Sequence, residues 1–277
     1  MLFKKLFFIF NFLFLFPIFT GSIQDTELEK AVDQADVNAV KEALKKGANP
    51  NYEIIDEDGV MSIAGRAIGL TGMLYNGKIN NDEAHLNKVR KGREIVKLLL
   101  KAGAKADWKD KTSFSLLHIA AKSMDEEVVK ILIEKGAKQG IVHKDKKSDF
   151  NGSTIILCIF SGALPQNPER YKILELLLKN GGNKDLAIPD AQGRTPLRMA
   201  SEQMDFKSVE LLLNAGANPN QKVKGLLAKL ALNAVEHGKA ICTENLPESE
   251  NYQFHCLPSW EEDYKKTKTL LLNAGAK

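Results

Sequence analysis

Four residues near the carboxyl end of the chain are of the types that bind a transition metal or form a disulfide bond. They are His237, Cys242, His255 and Cys256. Adjacent residues such as His255 and Cys256 do not readily reach one ion together, and the spacing of the four matches no common zinc motif. The pattern favours a disulfide bond between Cys242 and Cys256, with free thiols and a metal site as the alternatives. We expect no bound metal or cofactor.

The other titratable residues form no catalytic pattern. The sequence has no glycine-rich phosphate loop, no His-Glu-x-x-His motif and no Gly-x-Ser-x-Gly motif. The acidic runs 125–127 and 261–263 begin predicted helices, where carboxylates stabilise the positive end of the helix dipole. Cys158 lies in an apolar run and is predicted to be a buried small hydrophobic residue. The sequence therefore favours binding over catalysis, and we predict that the chain is not an enzyme.

The amino-terminal residues have the layout of a secretory signal peptide. Lys4 and Lys5 precede the apolar run 6–19, and the small residues 20–22 follow it. We therefore predict a signal peptide at residues 1–22 and a mature domain at residues 23–277. The run has 14 residues, fewer than the roughly 20 that span a bilayer as a helix, so no stable membrane span is expected after cleavage. An uncleaved anchor is the alternative. Export would place the cysteines in an oxidising compartment.

The charge balance gives little support to a nucleic-acid partner. The formal net charge is +4, and removal of Lys4 and Lys5 leaves +2 (4 minus 2). Lysine outnumbers arginine by 33 to 6. Arginine is the usual residue for bidentate contacts with phosphates and bases, so this composition disfavours nucleic acid.

A segment of aliphatic residues that ends in a glycine recurs along the chain and organises it. Its six copies end at Gly47, Gly103, Gly136, Gly181, Gly216 and Gly275, which are 56, 33, 45, 35 and 59 residues apart. Two of these intervals are close to the 33-residue period of one repeat family, and the other three fit that period with insertions.

Each copy predicts the end of a helix. Aliphatic residues have helical spacing, as at Val209, Leu212 and Leu213. The glycine that follows can enter the left-handed conformation at low steric cost. Upstream, Thr195 can cap a shorter helix, and Pro196 suits its first position. Each unit is therefore predicted to be a short helix, a turn, a longer helix and a polar loop.

At these residues the chain resembles the ankyrin-repeat family. The unit Asp190–Asn220 has the family's Gly-x-Thr-Pro-Leu start and its Gly-Ala-Asn-Pro-Asn end. The unit Ser115–Lys138 keeps the family histidine at His118 but has Leu116 where proline is typical. The resemblance covers roughly Glu27 to Lys277. It implies an all-α solenoid of about six helix-turn-helix units, in which His118 hydrogen bonds neighbouring loops.

Three units depart from the family pattern. Their first helices are predicted at Met61–Leu70, Thr154–Ser161 and Leu226–Val235, and insertions follow at about residues 71–91, 162–167 and 238–259. With the units numbered in order, the insertions lie between the first and second helices of units two, four and six. They are expected on one edge of the solenoid, either as tolerated loop variation or as a second functional surface.

The resemblance implies that a partner protein contacts the loop tips between units and the adjoining first helices. Aromatic and charged residues at these tips are the predicted contacts: Tyr52, Trp108, Lys109, Lys111, His143, Lys144, Lys146 and Lys147. The lysines would match an acidic protein surface, or they only keep the tips soluble. Trp108 could instead pack against a neighbouring loop.

The expected function is therefore a non-catalytic protein–protein interaction module, monomeric, that acts in the periplasm or outside a bacterial cell. Two alternatives remain open: a secreted effector that binds a host protein, and an immunity-type inhibitor of a toxin.

Overall fold

The computed structural model describes residues 22–56, 59–72, 74–75, 78–79, 82–148, 151–161, 167–224, 230–244, 256 and 258–277. Its helices are α1 (Ile23–Asp33), α2 (Val37–Lys45), α3 (Ile63–Gly69), α4 (Glu83–Lys101), α5 (Leu116–Lys122), α6 (Glu126–Glu134), α7 (Ile155–Cys158), α8 (Pro168–Lys179), α9 (Pro196–Glu202), α10 (Phe206–Asn214), α11 (Ala231–Glu244) and α12 (Trp260–Asn273). A short 3₁₀ helix, Gly182–Asp185, follows α8. The predicted signal peptide lies outside the described residues except for Ser22. No helix of the described part is long and apolar enough to cross a membrane.

The helices pair into six units, from α1–α2 to α11–α12. First helices pack on first helices in the order α1, α3, α5, α7, α9, α11, and second helices stack in a parallel layer from α2 to α12. The predicted solenoid of six helical units is confirmed. The central residue of each aliphatic triplet holds the layers together, since Leu99, Leu132, Leu177 and Leu212 are fully buried.

Side-chain caps mark the helix starts in the first five units. Ser or Thr caps each first helix, as Thr195 does by accepting the backbone N–H of Arg198. Asp or Asn caps each second helix, as Asp36 does for α2. These caps satisfy N–H groups that have no partner inside the helix. The predicted cap at Thr195, with Pro196 at the first helical position, is confirmed.

The glycines that end the second helices have positive φ, as their spacing predicted. The φ angles run from +82° at Gly275 to +103° at Gly103. A Cβ added at any of the six would meet no atom within 4 Å. The requirement for glycine is therefore conformational and not a matter of space.

The connections between first and second helices divide the units into two classes. In units one, three and five a single residue of positive φ joins the helices: Ala35, Met124 and Met204. Units two, four and six have longer connections, so the predicted position of the insertions is confirmed. Their predicted bounds are wrong in two places, because residues 83–91 belong to α4 and residues 238–244 to α11. The first helix of unit six therefore begins at Ala231, later than predicted.

Two short hairpins are added to the helical frame, both in unit two. Strands β1 (Glu53–Asp56) and β2 (Gly59–Ser62) are antiparallel and form the loop tip that precedes α3, with Ile54 opposite Met61. Strands β3 (Leu74–Tyr75) and β4 (Lys78–Ile79) lie in the insertion before α4.

Candidate protein-binding surface

An aspartate builds the turn at two of the loop tips. In unit three, Asp110 Oδ1 accepts the backbone N–H groups of Thr112 and Phe114, each at 2.8 Å. In unit five, Asp190 Oδ1 accepts those of Gln192 and Arg194 at 3.0 and 2.8 Å. Because these carboxylates are committed to their own loops, the tips are held in one conformation.

Below the tip of unit three, His118 is fully buried. Its Nδ1 lies 3.2 Å from the backbone N of Ser115 and 2.8 Å from that residue's hydroxyl. Burial lowers the pKa of His118 to about 4, and the nearby His143 acts in the same direction. The ring is therefore neutral near pH 7. His118 is bonded to the cap of its own helix, and hydrogen bonding to the backbone of Ser153 and Ile141 in the following loop partly offsets the lowering of its pKa.

His143, one of the predicted partner contacts, also joins neighbouring tips. It is only 5% exposed. Its Nδ1 lies 3.2 Å from the Oγ1 of Thr112, and its ring meets the Phe114 ring edge-on at 5.0 Å. The backbone N–H of Lys144 donates to the carbonyl of Thr112 at 2.7 Å. The loop that follows unit three is thus fastened to the tip before it, and the sequence alone did not show that this histidine points inward.

The two aromatic residues among the predicted contacts also make internal contacts. Trp108 is half-buried, and its Nε1 donates to Glu53 Oε1 of β1 at 2.7 Å. This geometry matches the alternative that Trp108 packs against a neighbouring loop. Tyr52 is half-buried as well, and burial raises the pKa of its hydroxyl, with Glu29 of α1 acting in the same direction. Trp108 thus joins two successive tips, whereas Tyr52 interacts with the first helix of unit one.

The five predicted lysines remain on the surface. All are exposed: Lys109, Lys111, Lys144, Lys146 and Lys147. None of them forms an ion pair with any residue that the structure describes. They form a basic rim on the tips of units three and four.

Beside this rim lies a groove of about 600 Å³ that no single motif indicated. The hairpin tip of unit two forms one wall and the tips of units three and four form the other. Apolar side chains in the lining come from Val60, Met61 and Phe114. Basic side chains come from Lys111 of the unit-three tip, from Arg66 of α3 and from Lys122 of α5. Arg66 also pairs with Asp33 at 2.7 Å. In the sequence, Val60 and Met61 come shortly after the acidic residues 56–58, so the segment resembles an ordinary polar loop. This apolar pair is the sequence signal from which the wall could have been predicted.

At the carboxyl end, the structure joins Cys242 to Cys256 by a disulfide bond, with Cα atoms 5.7 Å apart. His237 points elsewhere, since its Nδ1 lies 2.8 Å from Glu202 Oε1 of α9. His255 lies outside the described residues. No group of potential metal ligands occurs in the part of the chain that the structure describes. Cys158 is buried as predicted, and burial raises the pKa of its thiol to about 12.

Comparison with known families agrees with this architecture. A model of three ankyrin repeats matches residues 74–143, and a model of a single ankyrin repeat matches residues 192–224. The chain folds as an ankyrin-repeat solenoid. Ankyrin repeats mediate protein–protein interaction, and the fold is typically a non-catalytic binding module.

Curated relatives are similar over about half of this chain. The nuclear factor NF-kappa-B p105 subunit of Gallus gallus is 30% identical over 150 residues, which cover 52% of this chain and 14% of the relative. The phosphocholine transferase AnkX of Legionella pneumophila is 26% identical over 151 residues, 53% of this chain and 14% of the relative. A putative ankyrin repeat protein of Rickettsia bellii is 29% identical over 125 residues, 45% and 33% of the two chains. The chain therefore spans a third or less of these relatives.

Two solved structures share the fold over most of the chain. One is from the complex of the Bd0816 predatory endopeptidase of Bdellovibrio bacteriovorus with immunity protein Bd3460. It has a TM-score of 0.57 and 18% identity, and covers 89% of this chain and 97% of that one. The other is the ankyrin repeat domain of Bcl-3, an IkappaB family member, with a TM-score of 0.56 and 20% identity over 91% of this chain and 87% of that one.

Proposed function

We propose that this ankyrin-repeat chain is a non-catalytic module that binds another protein through the tips of units two to four and the first helices behind them. The groove between the hairpin tip and the lysine-rich tips carries this proposal. It combines apolar surface with the lysines of the basic rim, and the turns that form its walls are fixed by internal hydrogen bonds. A preorganised surface loses little conformational entropy on binding.

A partner with an acidic surface fits this charge pattern, because complementary charge raises association rates and disfavours wrong partners. Nucleic acid is a poorer match. Of the six arginines, Arg170, Arg194 and Arg198 are buried, so half of the residues best suited to phosphate contacts lie inside the fold. The chain acts as a monomer in this proposal.

The proposed place of action is the periplasm or the cell exterior, reached through the signal peptide at residues 1–22. The disulfide bond between Cys242 and Cys256 supports it, since such bonds persist mainly in oxidising compartments. A second candidate function is an immunity-type inhibitor of a toxin or envelope enzyme. The structural likeness to a chain of the endopeptidase–immunity protein complex favours this candidate over an effector that binds a host protein.

Capture of the partner from an envelope extract, followed by mass spectrometry, tests the proposal. Replacing Lys144, Lys146 and Lys147 by glutamate should abolish capture of the specific partner. A matched triple variant in exposed lysines of the second-helix layer, Lys130→Glu, Lys135→Glu and Lys179→Glu, changes the net charge equally and should retain it. Equal capture by both variants would contradict the proposed surface. Fractionation of the producing cells separates the candidates, because an immunity-type inhibitor remains in the periplasm and an effector enters the medium.

A further inference from the structure

One wall of the groove beside the basic rim is formed by apolar side chains that are partly exposed to solvent. Met61 is 38% exposed on β2, and Val60 and Phe114 line the same space. Ile55 of β1 is 68% exposed, so the hairpin presents apolar side chains toward its outer end as well. Hydrophobic burial against this wall would stabilise a bound side chain.

The carboxylates of the described lining are hydrogen bonded within their own loops. Among the described lining residues, the acidic side chains are Asp110 and Asp145. Asp110 accepts two backbone N–H groups and the Thr112 hydroxyl. Asp145 accepts the backbone N–H of Lys147 at 2.9 Å. Both carboxylates are therefore engaged by their own loops.

The lysines of the basic rim have no such engagement. Lys111 lies in the lining itself, and the other four lie on the tips of units three and four. Other exposed lysines, such as Lys130 and Lys135, also lack an ion pair with any described residue, but they do not lie beside the apolar groove. Five lysines that pair with no described carboxylate therefore lie on the tips that border the apolar wall.

We infer that the groove binds an extended acidic polypeptide segment in which a large apolar side chain is flanked by aspartate or glutamate. The apolar side chain packs against Val60, Met61 and Phe114, and the flanking carboxylates pair with the lysines of the rim. The groove volume of about 600 Å³ is within the range of sites that bind drug-sized ligands, which is enough for one large side chain. The inference rests on the proposed function and specifies the chemistry of the partner.

Selection of peptides on the folded full chain tests this specificity without knowledge of the natural partner. The probe is a random peptide library displayed on phage, and the enriched peptides are then synthesised and their affinities measured by fluorescence anisotropy. We expect enriched sequences to contain leucine, phenylalanine or another large apolar residue between acidic residues. Changing either the apolar residue to serine or the acidic residues to amides should weaken binding about tenfold or more.

Two single variants and one matched control separate the contribution of the apolar wall from that of the positive charge. Met61→Ser removes part of the apolar wall, and Lys111→Glu reverses one charge in the lining; each should weaken the selected peptides about tenfold. Leu272→Ser alters a side chain that is 49% exposed on α12, far along the solenoid, and should leave affinity unchanged. Circular dichroism confirms that each variant is folded.

Three results would overturn the inference: no enrichment, enriched peptides without carboxylates, or affinities that Met61→Ser and Lys111→Glu do not change. Self-association of the chain that Met61→Ser abolishes would also overturn it, because a second copy would then occupy the groove. In any of these cases, capture of a partner that depends on Lys144, Lys146 and Lys147 would still support the proposed function. The two proposals can therefore fail separately.

Discussion

Arg170 of unit four and Asp205 of unit five form an ion pair in which both side chains have zero exposure, with Nη1 and Oδ2 2.8 Å apart. Asp205 also caps α10 and accepts the hydroxyl of Tyr171 at 3.0 Å. Arg170 lies over the Phe160 ring at 5.0 Å. Burial lowers the pKa of the guanidinium while Asp205 raises it. The pair joins the second helix of one unit to the turn of the next.

Asp205→Asn should therefore lower the free energy of unfolding by about 3–5 kcal/mol, because it leaves a buried guanidinium without its counter-charge. Urea denaturation followed by circular dichroism measures the change. Glu94→Gln is the control: it breaks the exposed pair with Lys41, for which a change of about 0.5 kcal/mol or less is expected. A loss below about 1 kcal/mol in Asp205→Asn would show that the buried pair is not a stabilising link between the units.

Two glycines separate the effect of backbone conformation from that of space. An added Cβ at Gly216 or Gly69 meets nothing within 4 Å, but only Gly216 has a positive φ, +94°. Gly216→Ala should destabilise the chain by about 1–2 kcal/mol, since an L-residue is strained there. Gly69→Ala, at the last residue of α3, should be neutral or stabilise it by up to about 1 kcal/mol. Thermal denaturation compares them, and equal effects would exclude the conformational explanation.

Stability should decrease on acidification because of His118. Its pKa of about 4 in the folded chain is below the ordinary value of 6.5, so the unfolded state binds the proton more strongly between these values. The contribution is fully present above pH 6.5 and is lost as the pH falls toward 4. Between pH 7 and pH 5 we expect a loss of about 2 kcal/mol.

The matching variant is His118→Asn, whose side-chain oxygen can still accept the N–H of Ser115. It should be less stable at pH 7 but lose less stability between pH 7 and pH 5. An identical pH profile in the two proteins would mean that other groups cause the acid sensitivity.

Reduction of the disulfide bond should destabilise the chain without exposing all of its cysteines. The bond closes a loop with a sequence separation of 14, for which the chain-entropy model gives about 3 kcal/mol. After mild reduction, alkylation followed by mass spectrometry should label Cys242 and Cys256 but leave Cys158 unlabelled, because it is buried with a pKa of about 12. Labelling of Cys158 in the folded protein would contradict its burial.

The two cysteines of the disulfide bond also show how far sequence reasoning extended. Their polar surroundings and short separation were enough to propose the pairing and to separate them from Cys158. The metal alternative depended on His237, and only the structure shows that this side chain faces Glu202 of the neighbouring unit. A partner that is distant in sequence leaves no local signal.

The sequence by itself determined the solenoid. The solenoid depends on local requirements that can be recognised in each unit separately. They are a glycine with positive φ, a Ser, Thr or Asp cap, and aliphatic residues with helical spacing. Tertiary structure decided what the units present to one another and to solvent. It turned His143 inward, engaged Trp108 with Glu53, and set Val60 and Met61 against Phe114 to form a groove. It also explains Gly238 within α11, where a Cβ would lie 2.1 Å from the carbonyl oxygen of Glu202. These features depend on distances between segments far apart in the chain, which residue types and spacing do not specify.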